Sequence, residues 1–313
     1  MSAHSTAVNA YNVNHGAYDA YRPAYDAKIV DPFLVELGLA SENPEGHIVP
    51  NLNKSILEVA VGTGKFTRNL IGHGWGHGTL KVMDPSKGML ASCRENFPEL
   101  GADDILLGDS YHLPVPDNSV DAVIIAQAFH WFADDASLKE IQRVLKPEGK
   151  LGCIWNFEYA NPSAEVDSTN VRYIDGGAHD FSHVTSQGTT AKQVFANYFD
   201  PATWSKRCCE YIYSLEGGVP QYRKGEWRAI FKDNQYFQIT PPELFLLGTN
   251  VHSDDDVIEY WMTRSFITKL PPDDQEQVRR HLKQILDETT AGLDRSHLVK
   301  PVGAHAVVCA QRT

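Results

Sequence analysis

Ser55-Ile56-Leu57-Glu58-Val59-Ala60-Val61-Gly62-Thr63-Gly64-Lys65-Phe66-Thr67 decides how the rest of the chain is read. Ile56, Leu57, Val59 and Val61 form a short apolar run bounded by turn residues, the pattern of a buried strand. Gly62-Thr63-Gly64 follows, and Lys65 to Ile71 can continue as a helix. Strand, glycine turn and helix bring backbone close to a nucleotide-like ligand, because a Cβ at the turn would block the approach. A phosphate loop does not fit: Val59 stands where its first glycine belongs and Phe66 where Ser or Thr belongs. A dinucleotide fingerprint does not fit either, since Thr67 takes the third glycine position. Two readings stay open, a sheet-edge site for a nucleoside without a pyrophosphate and a tight turn that binds nothing.

Downstream the pattern repeats. Thr79 to Met83 reads as a second strand ending at Asp84, which lies 22 residues beyond Gly62. An acid at that distance and at a strand end suits hydrogen bonding to ribose hydroxyls. Ser86 can cap the next helix, with Met89 placed to pack on an adenine face or simply in the core. Asp104 to Leu107, Val120 to Ala126 and Lys150 to Trp155 read as further strands, and Asp134 to Leu145 as an amphipathic helix. Asp109 and Ser110 follow the third strand, and Gln127 and Ala128 the fourth. Alternating strands and helices imply a parallel sheet with ligands beyond the carboxyl ends of its strands.

Upstream, residues 1–16 are polar and lid-like, and Ala17 to Tyr25 holds three tyrosines beside Arg22. A helix is expected from about Asp31 to Leu39, capped by Asp31 with Pro32 in its first position. His73 and His77 sit in a glycine-rich loop and have no third ligand for a metal site. The stretch Asn161 to Thr190 reads as a long polar loop holding His179 and His183. Gln193 to Tyr198 looks helical, and the aromatic region from Trp204 to Phe237 reads mostly as core, with some rings shaping a cavity. Glu243 to Thr249 and Ala304 to Ala310 complete the sheet; Ser253 caps one helix and Pro272 opens another.

The chain of 313 residues carries a net charge of −12, which argues against nucleic acid or an anionic membrane as its main partner. Its five cysteines show no C-x-x-C spacing and read as reduced thiols of a cytoplasmic protein. No apolar run is long enough to span a membrane, and no secretory leader is seen.

Residues 55–155 closely resemble the class I S-adenosylmethionine-dependent methyltransferases. The resemblance rests on Ile56–Thr67, Val82–Leu90, Leu106–Val123, Ala126–Phe132 and Arg143–Leu151, in order and at the expected spacing. The Ala128–Phe132 motif (AFHWF), Ala20–Tyr25 and Ser265–Ile267 resemble a small-molecule subgroup found in fungi and bacteria. The resemblance implies an α/β, doubly wound, Rossmann-like, mostly parallel seven-stranded sheet with helices on both faces and an inserted cap. On this reading residues 1–40 form a lid segment and helix, 41–155 the cofactor core, 156–240 a substrate cap, and 241–313 complete the core. It implies S-adenosylmethionine as cofactor, lined by Tyr21, Arg22, Glu58, Gly62, Gly64, Asp84, Met89, Asp109, Ser110, Gln127 and Ala128. One departure stands out: Ala60 replaces the family's usual glycine.

The expected activity is methyl transfer to O, N or S of a small molecule, in secondary metabolism. His130 is the candidate base, or else a wall residue that donates a hydrogen bond. Trp131, Trp155, Trp227 and Arg264 are the candidate substrate contacts. The rival readings are a pericyclase or cyclase that uses the sulfonium only as a charge, and a non-catalytic regulatory protein.

Overall fold

The computed structural model describes residues 19–159, 166–200 and 203–312, so the lid-like segment at 1–16 lies outside the described residues. A small hairpin, β1 (Ala40–Glu42) and β2 (Ile48–Pro50), forms its own sheet. The main sheet is built on β3 (Ile56–Val59), all of whose side chains are buried. β3 pairs in parallel with β4 (Leu80–Asp84) on one side and β6 (Val120–Ala126) on the other. β5 (Ile105–Leu107) extends the β4 side; β7 (Leu145–Phe157) extends the β6 side. Beyond β7 come three more strands: β8 (Val171–Gly176), β9 (Phe237–His252) and β10 (Leu298–Gln311). The order is β5-β4-β3-β6-β7-β10-β9-β8, mostly parallel, with β10 antiparallel to both β7 and β9.

This sheet has eight strands where seven are expected from the sequence. The extra strand is β8, which lies within the stretch expected to be a polar loop and pairs in parallel with β9 from Val171↔Glu243 to Gly176↔Gly248. As an edge strand with no fully buried residue it carries no apolar run, and its partner lies some seventy residues on. Part of the segment expected to be a cap thus joins the sheet.

Side chains alternate between the two faces. Leu57, Val59, Val123, Ile125 and Trp155 share one core; Ile56, Leu80, Val82, Ile124 and Ile154 share the other. The second face is covered by α1 (Ala27–Glu36), α2 (Thr67–Gly72) and α3 (Lys87–Asn96), whose Phe33, Leu70 and Cys93 pack there. The first is covered by α4 (Asp135–Val144), the short α5 (Phe181–Ser186), and α6 (Ala191–Phe199). A third cluster joins α7 (Thr203–Ser214) to two later helices; a single-turn helix, α8 (Ile230–Asp233), separates them in sequence. Those later helices are α9 (Asp254–Met262) and α10 (Pro272–Thr289).

α1 begins earlier than expected. Asp26, not Asp31, is its N-cap and accepts from the Lys28 backbone, which places Pro32 inside the helix. Proline there costs about 3 kcal/mol. Ile29, Val30, Phe33 and Leu34 are fully buried, each worth roughly 1.5–3 kcal/mol, and outweigh that cost. Asp31 instead meets His73 Nε2 at 2.8 Å, while His77 meets Asp104. These pairs anchor the glycine-rich loop that flexibility alone describes poorly.

Candidate active site

The chain leaves β3 for β4 in one direction, and β6 leads to β7 in the other, so a crevice opens between the carboxyl ends of β3 and β6. Two non-glycine residues there adopt left-handed backbone: Ala60 at φ 58° after β3 and Gln127 at φ 60° after β6. Such strain persists where the surrounding structure over-determines it, as at ligand sites. Gly62, at φ 59°, faces open space, whereas a Cβ on Gly64 would collide with the Phe97 ring. Glu58, Ala60, Gly62 and Gln127 line one cavity.

Glu58 is 1% exposed. Its Oε2 accepts from Thr67 Oγ1 at 2.7 Å, and its Oε1 is buried with no hydrogen-bond partner. Burial pushes its carboxyl up to about 8, against the smaller opposing effect of Thr67. An orphaned buried carboxylate oxygen in a cavity beside a glycine turn is the complement of a cationic group. An aminoacyl ammonium, as on S-adenosylmethionine, fits it.

Asp84 closes β4. It accepts from the Gly62 backbone at 2.9 Å and the Ser86 backbone at 2.8 Å, so it braces the glycine turn. Ser86 caps α3 through the Met89 backbone, which buries Met89 at the helix start. Asp109 turns to the Tyr111 backbone, and Ser110 accepts from Ser137 at the head of α4. The Gln127 side chain is paired twice with the Asn156 backbone, donating at 3.0 Å and accepting at 3.1 Å. It ties β6 to β7 at the crevice, and Ala128 packs at the rim of the core.

The segment from Asp19 to Ala24 crosses this crevice as a strap. Asp19 accepts from Thr63 Oγ1 at 2.9 Å, and Lys65 donates to its carbonyl. Asn156 Nδ2 donates to the Ala24 carbonyl at 3.2 Å. Arg22 lines the cavity at Gly62 and two neighbouring ones. Tyr21 departs from expectation: its ring packs with the α7–α9–α10 cluster, and it lines the cavity farther from the glycine turn.

His130 and Trp131 line the cavity next to the glycine turn, in a short 3-10 turn after β6. Trp155 Nε1, a donor only, points to His130 Nδ1 at 3.3 Å. That leaves the His130 proton on Nε2, and burial pushes the imidazole down to about 3. His130 therefore presents a neutral N–H donor, not a free base nitrogen.

Two expected substrate contacts are core residues instead. Trp155 is 0% exposed and stacks on Tyr222 at 4.9 Å. Trp227 is 2% exposed, with its indole N–H held by the Tyr222 carbonyl. Aromatic residues on β7 and its covering turns bury because that face is closed over by α6 and the following segment. Arg264 does line the cavity, but it is ion-paired with Glu158 and also donates to Tyr260 Oη at 2.7 Å. Burial pushes Glu158 up, and Arg264, Lys300, the Tyr260 hydroxyl and Arg22 together hold it down at about 2.

Asn156, Glu158 and Lys300 were missed in the sequence. The available signal was a charge inside an apolar strand run, as in Leu298-Val299-Lys300-Pro301-Val302. Starting the last strand at Ala304 left Lys300 outside it. Among the described residues no group of three or more His, Cys, Asp or Glu side chains is placed to hold a metal ion. The five cysteines are free and buried, and no described helix is long and apolar enough to cross a membrane.

Residues 57–153 match a family model described as "Methyltransferase domain". An uncharacterized methyltransferase of Mycobacterium bovis is 36% identical over 141 residues, which cover 45% of this chain and 49% of that protein. An uncharacterized methyltransferase-like protein of Schizosaccharomyces pombe is 39% identical over 140 residues, 44% of this chain and 48% of that one. The chain thus spans about half the length of the curated relatives it matches. In fold it is similar to the structure of a putative type II methyltransferase from Anaeromyxobacter dehalogenans. That match has a TM-score of 0.51 and 15% identity, covering 93% of this chain and 98% of that one.

Proposed function

We propose that this chain, whose residues 57–153 match a methyltransferase domain, is an S-adenosylmethionine-dependent methyltransferase that acts on a small molecule. The observation that carries the reading is the orphaned Glu58 Oε1 in the cavity at the strained β3–β6 switch point. On this reading Glu58, Gly62, Gly64 and Gln127 hold the aminoacyl end of the cofactor, with Ala128 beside it. Asp84 has further acceptor capacity for ribose, and Met89, Asp109 and Ser110 take the adenine side. When bound, the cofactor supplies an electrophilic methyl group on a sulfonium.

The chain's own residues then position and enclose. The strap at Asp19–Ala24 excludes water from the crevice, and reactants aligned at about 3–3.5 Å avoid roughly 7–11 kcal/mol of barrier. His130 orients the acceptor through Nε2–H, and Trp131 offers an aromatic face. A donor at that position favours acceptors that need no proton removed: an amine, a thiolate or a carboxylate. The net charge of −12 favours a small acceptor over nucleic acid, and buried thiols fit a reducing cytoplasm.

Calorimetric titration with S-adenosylmethionine and S-adenosylhomocysteine tests the reading, with Asp84→Asn as the variant. We expect one-to-one micromolar binding of both ligands, weakened in the variant, followed by transfer of labelled methyl to a pooled acceptor set. Failure of the wild type to bind either ligand would sink the proposal. Binding with turnover of a substrate but no S-adenosylhomocysteine formed would point to the cyclase reading instead.

A further inference from the structure

Behind the strap lies a separate cavity of about 240 Å³, walled by the strap, the ends of β9 and β10, and α9. Lys300 projects from β10 into this wall and is 3% exposed. Its ammonium lies over the Tyr260 ring at 4.0 Å and the Trp261 ring at 4.9 Å. It makes no ion pair and no hydrogen bond with any described residue. Burial and the nearby Arg264 charge lower its pKa, while Glu158 opposes them.

Two acids stand on this wall: Glu158 is buried, whereas Asp26 is exposed and caps α1. Arg22, Arg264 and Lys300 act together on one buried carboxylate, Glu158, and Arg264 already pairs with it directly. Two more buried donors in the same cluster, Arg264 Nε and Trp261 Nε1, have no partner. His252, also on the cavity wall, has its pKa lowered by burial and by Lys300, against the opposing charge of Asp256. A buried ammonium with no direct hydrogen bond or ion pair is costly even with Glu158 nearby, and such a group is expected to be paired when the protein works. This cavity shares Asn156, Glu158 and Arg22 with the one that holds His130 and Trp131.

We propose that Lys300 is the docking point for an anionic group, a carboxylate or a phosphate ester, on the small molecule that enters this cavity. The inference deepens the methyltransferase reading, because it assigns the acceptor a charge. Charge-assisted hydrogen bonds at a buried site typically change affinity about ten- to hundredfold.

The test uses the full chain with benzoate, phenyl phosphate and the uncharged methyl benzoate as probes. Thermal midpoint and tryptophan fluorescence are read for wild type, Lys300→Met and Lys300→Arg. Trp261, under the ammonium, reports arrival of an anion. Benzoate or phenyl phosphate, whichever carries the right anion, is expected to raise the midpoint and change the fluorescence, and methyl benzoate to do neither. Lys300→Met should lose the response at least tenfold while melting no lower than wild type without probe, because it removes a buried charge that no direct hydrogen bond or ion pair holds. Lys300→Arg should keep most of the response. A wild type that answers none of the probes, or answers the neutral ester equally, overturns the proposal. So does a Lys300→Met protein that melts well below wild type, since Lys300 would then be a structural partner of Glu158. S-adenosylmethionine binding, measured separately, distinguishes failure of this site from failure of the methyltransferase reading.

Discussion

Replacing Glu58 with glutamine removes the carboxylate at the centre of the crevice while keeping its shape. The amide oxygen can still accept from Thr67 as Oε2 does. Burial raises the Glu58 carboxyl from its ordinary 4.5 to about 8. Between those pH values the folded protein keeps a proton that the unfolded chain has released. Stability from this group is complete below 4.5 and is lost as pH rises through 8. The slope is about 1.4 kcal/mol per pH unit, and the full loss is on the order of 5 kcal/mol. Glutamine has no such slope. Urea denaturation of both proteins at intervals from pH 5 to 8.5 checks this, because the difference between them cancels every other titrating group. Wild type should lose stability steadily relative to Glu58→Gln across that range. Saturating S-adenosylmethionine should flatten the wild-type slope, since an ammonium against Oε1 stabilises the ionised carboxylate. Binding near neutral pH should then release a proton, readable by calorimetry in buffers of different ionisation enthalpy. Parallel stability curves for the two proteins would refute the reasoning.

Two further outcomes concern backbone strain and the buried ion pair. Ala60→Gly should stabilise by up to about 1 kcal/mol, because a Cβ at φ 58° is strained, and should tighten cofactor binding by enlarging the cavity; thermal melts and calorimetry read both effects. Arg264→Leu should destabilise by roughly 3–5 kcal/mol by stranding Glu158, and adding Glu158→Leu should restore much of the loss in urea titrations; additive losses would show that the pair is not coupled.

Much of the fold is legible because its determinants are local. The apolar run at Ile56–Val59, the caps Ser86 and Ser253, and the alternation of strand and helix to Ala126 need only neighbours along the chain. The glycine turn and the acids after each strand are legible for the same reason, since short motifs carry backbone geometry. Where non-local contacts decide, sequence reading fails. β8 exists because β9 offers an open edge to Val171–Gly176. Pro32 sits inside a helix because the face it shares is buried against the sheet.

The sequence by itself determined the sheet's parallel half and placed the ligand beyond the carboxyl ends of its strands, because alternating strands and helices with right-handed crossovers allow little else. Only the tertiary structure decided what the polar groups around that crevice do. Trp155 became core and, by donating to His130, chose that ring's tautomer. Asp84 became a brace for the turn, and Glu58 was left with one oxygen that no hydrogen bond satisfies. Three cations from distant parts of the chain met around one carboxylate. Charge, protonation and hydrogen-bond saturation are properties of a surrounding shell, and that shell is assembled only when the chain folds.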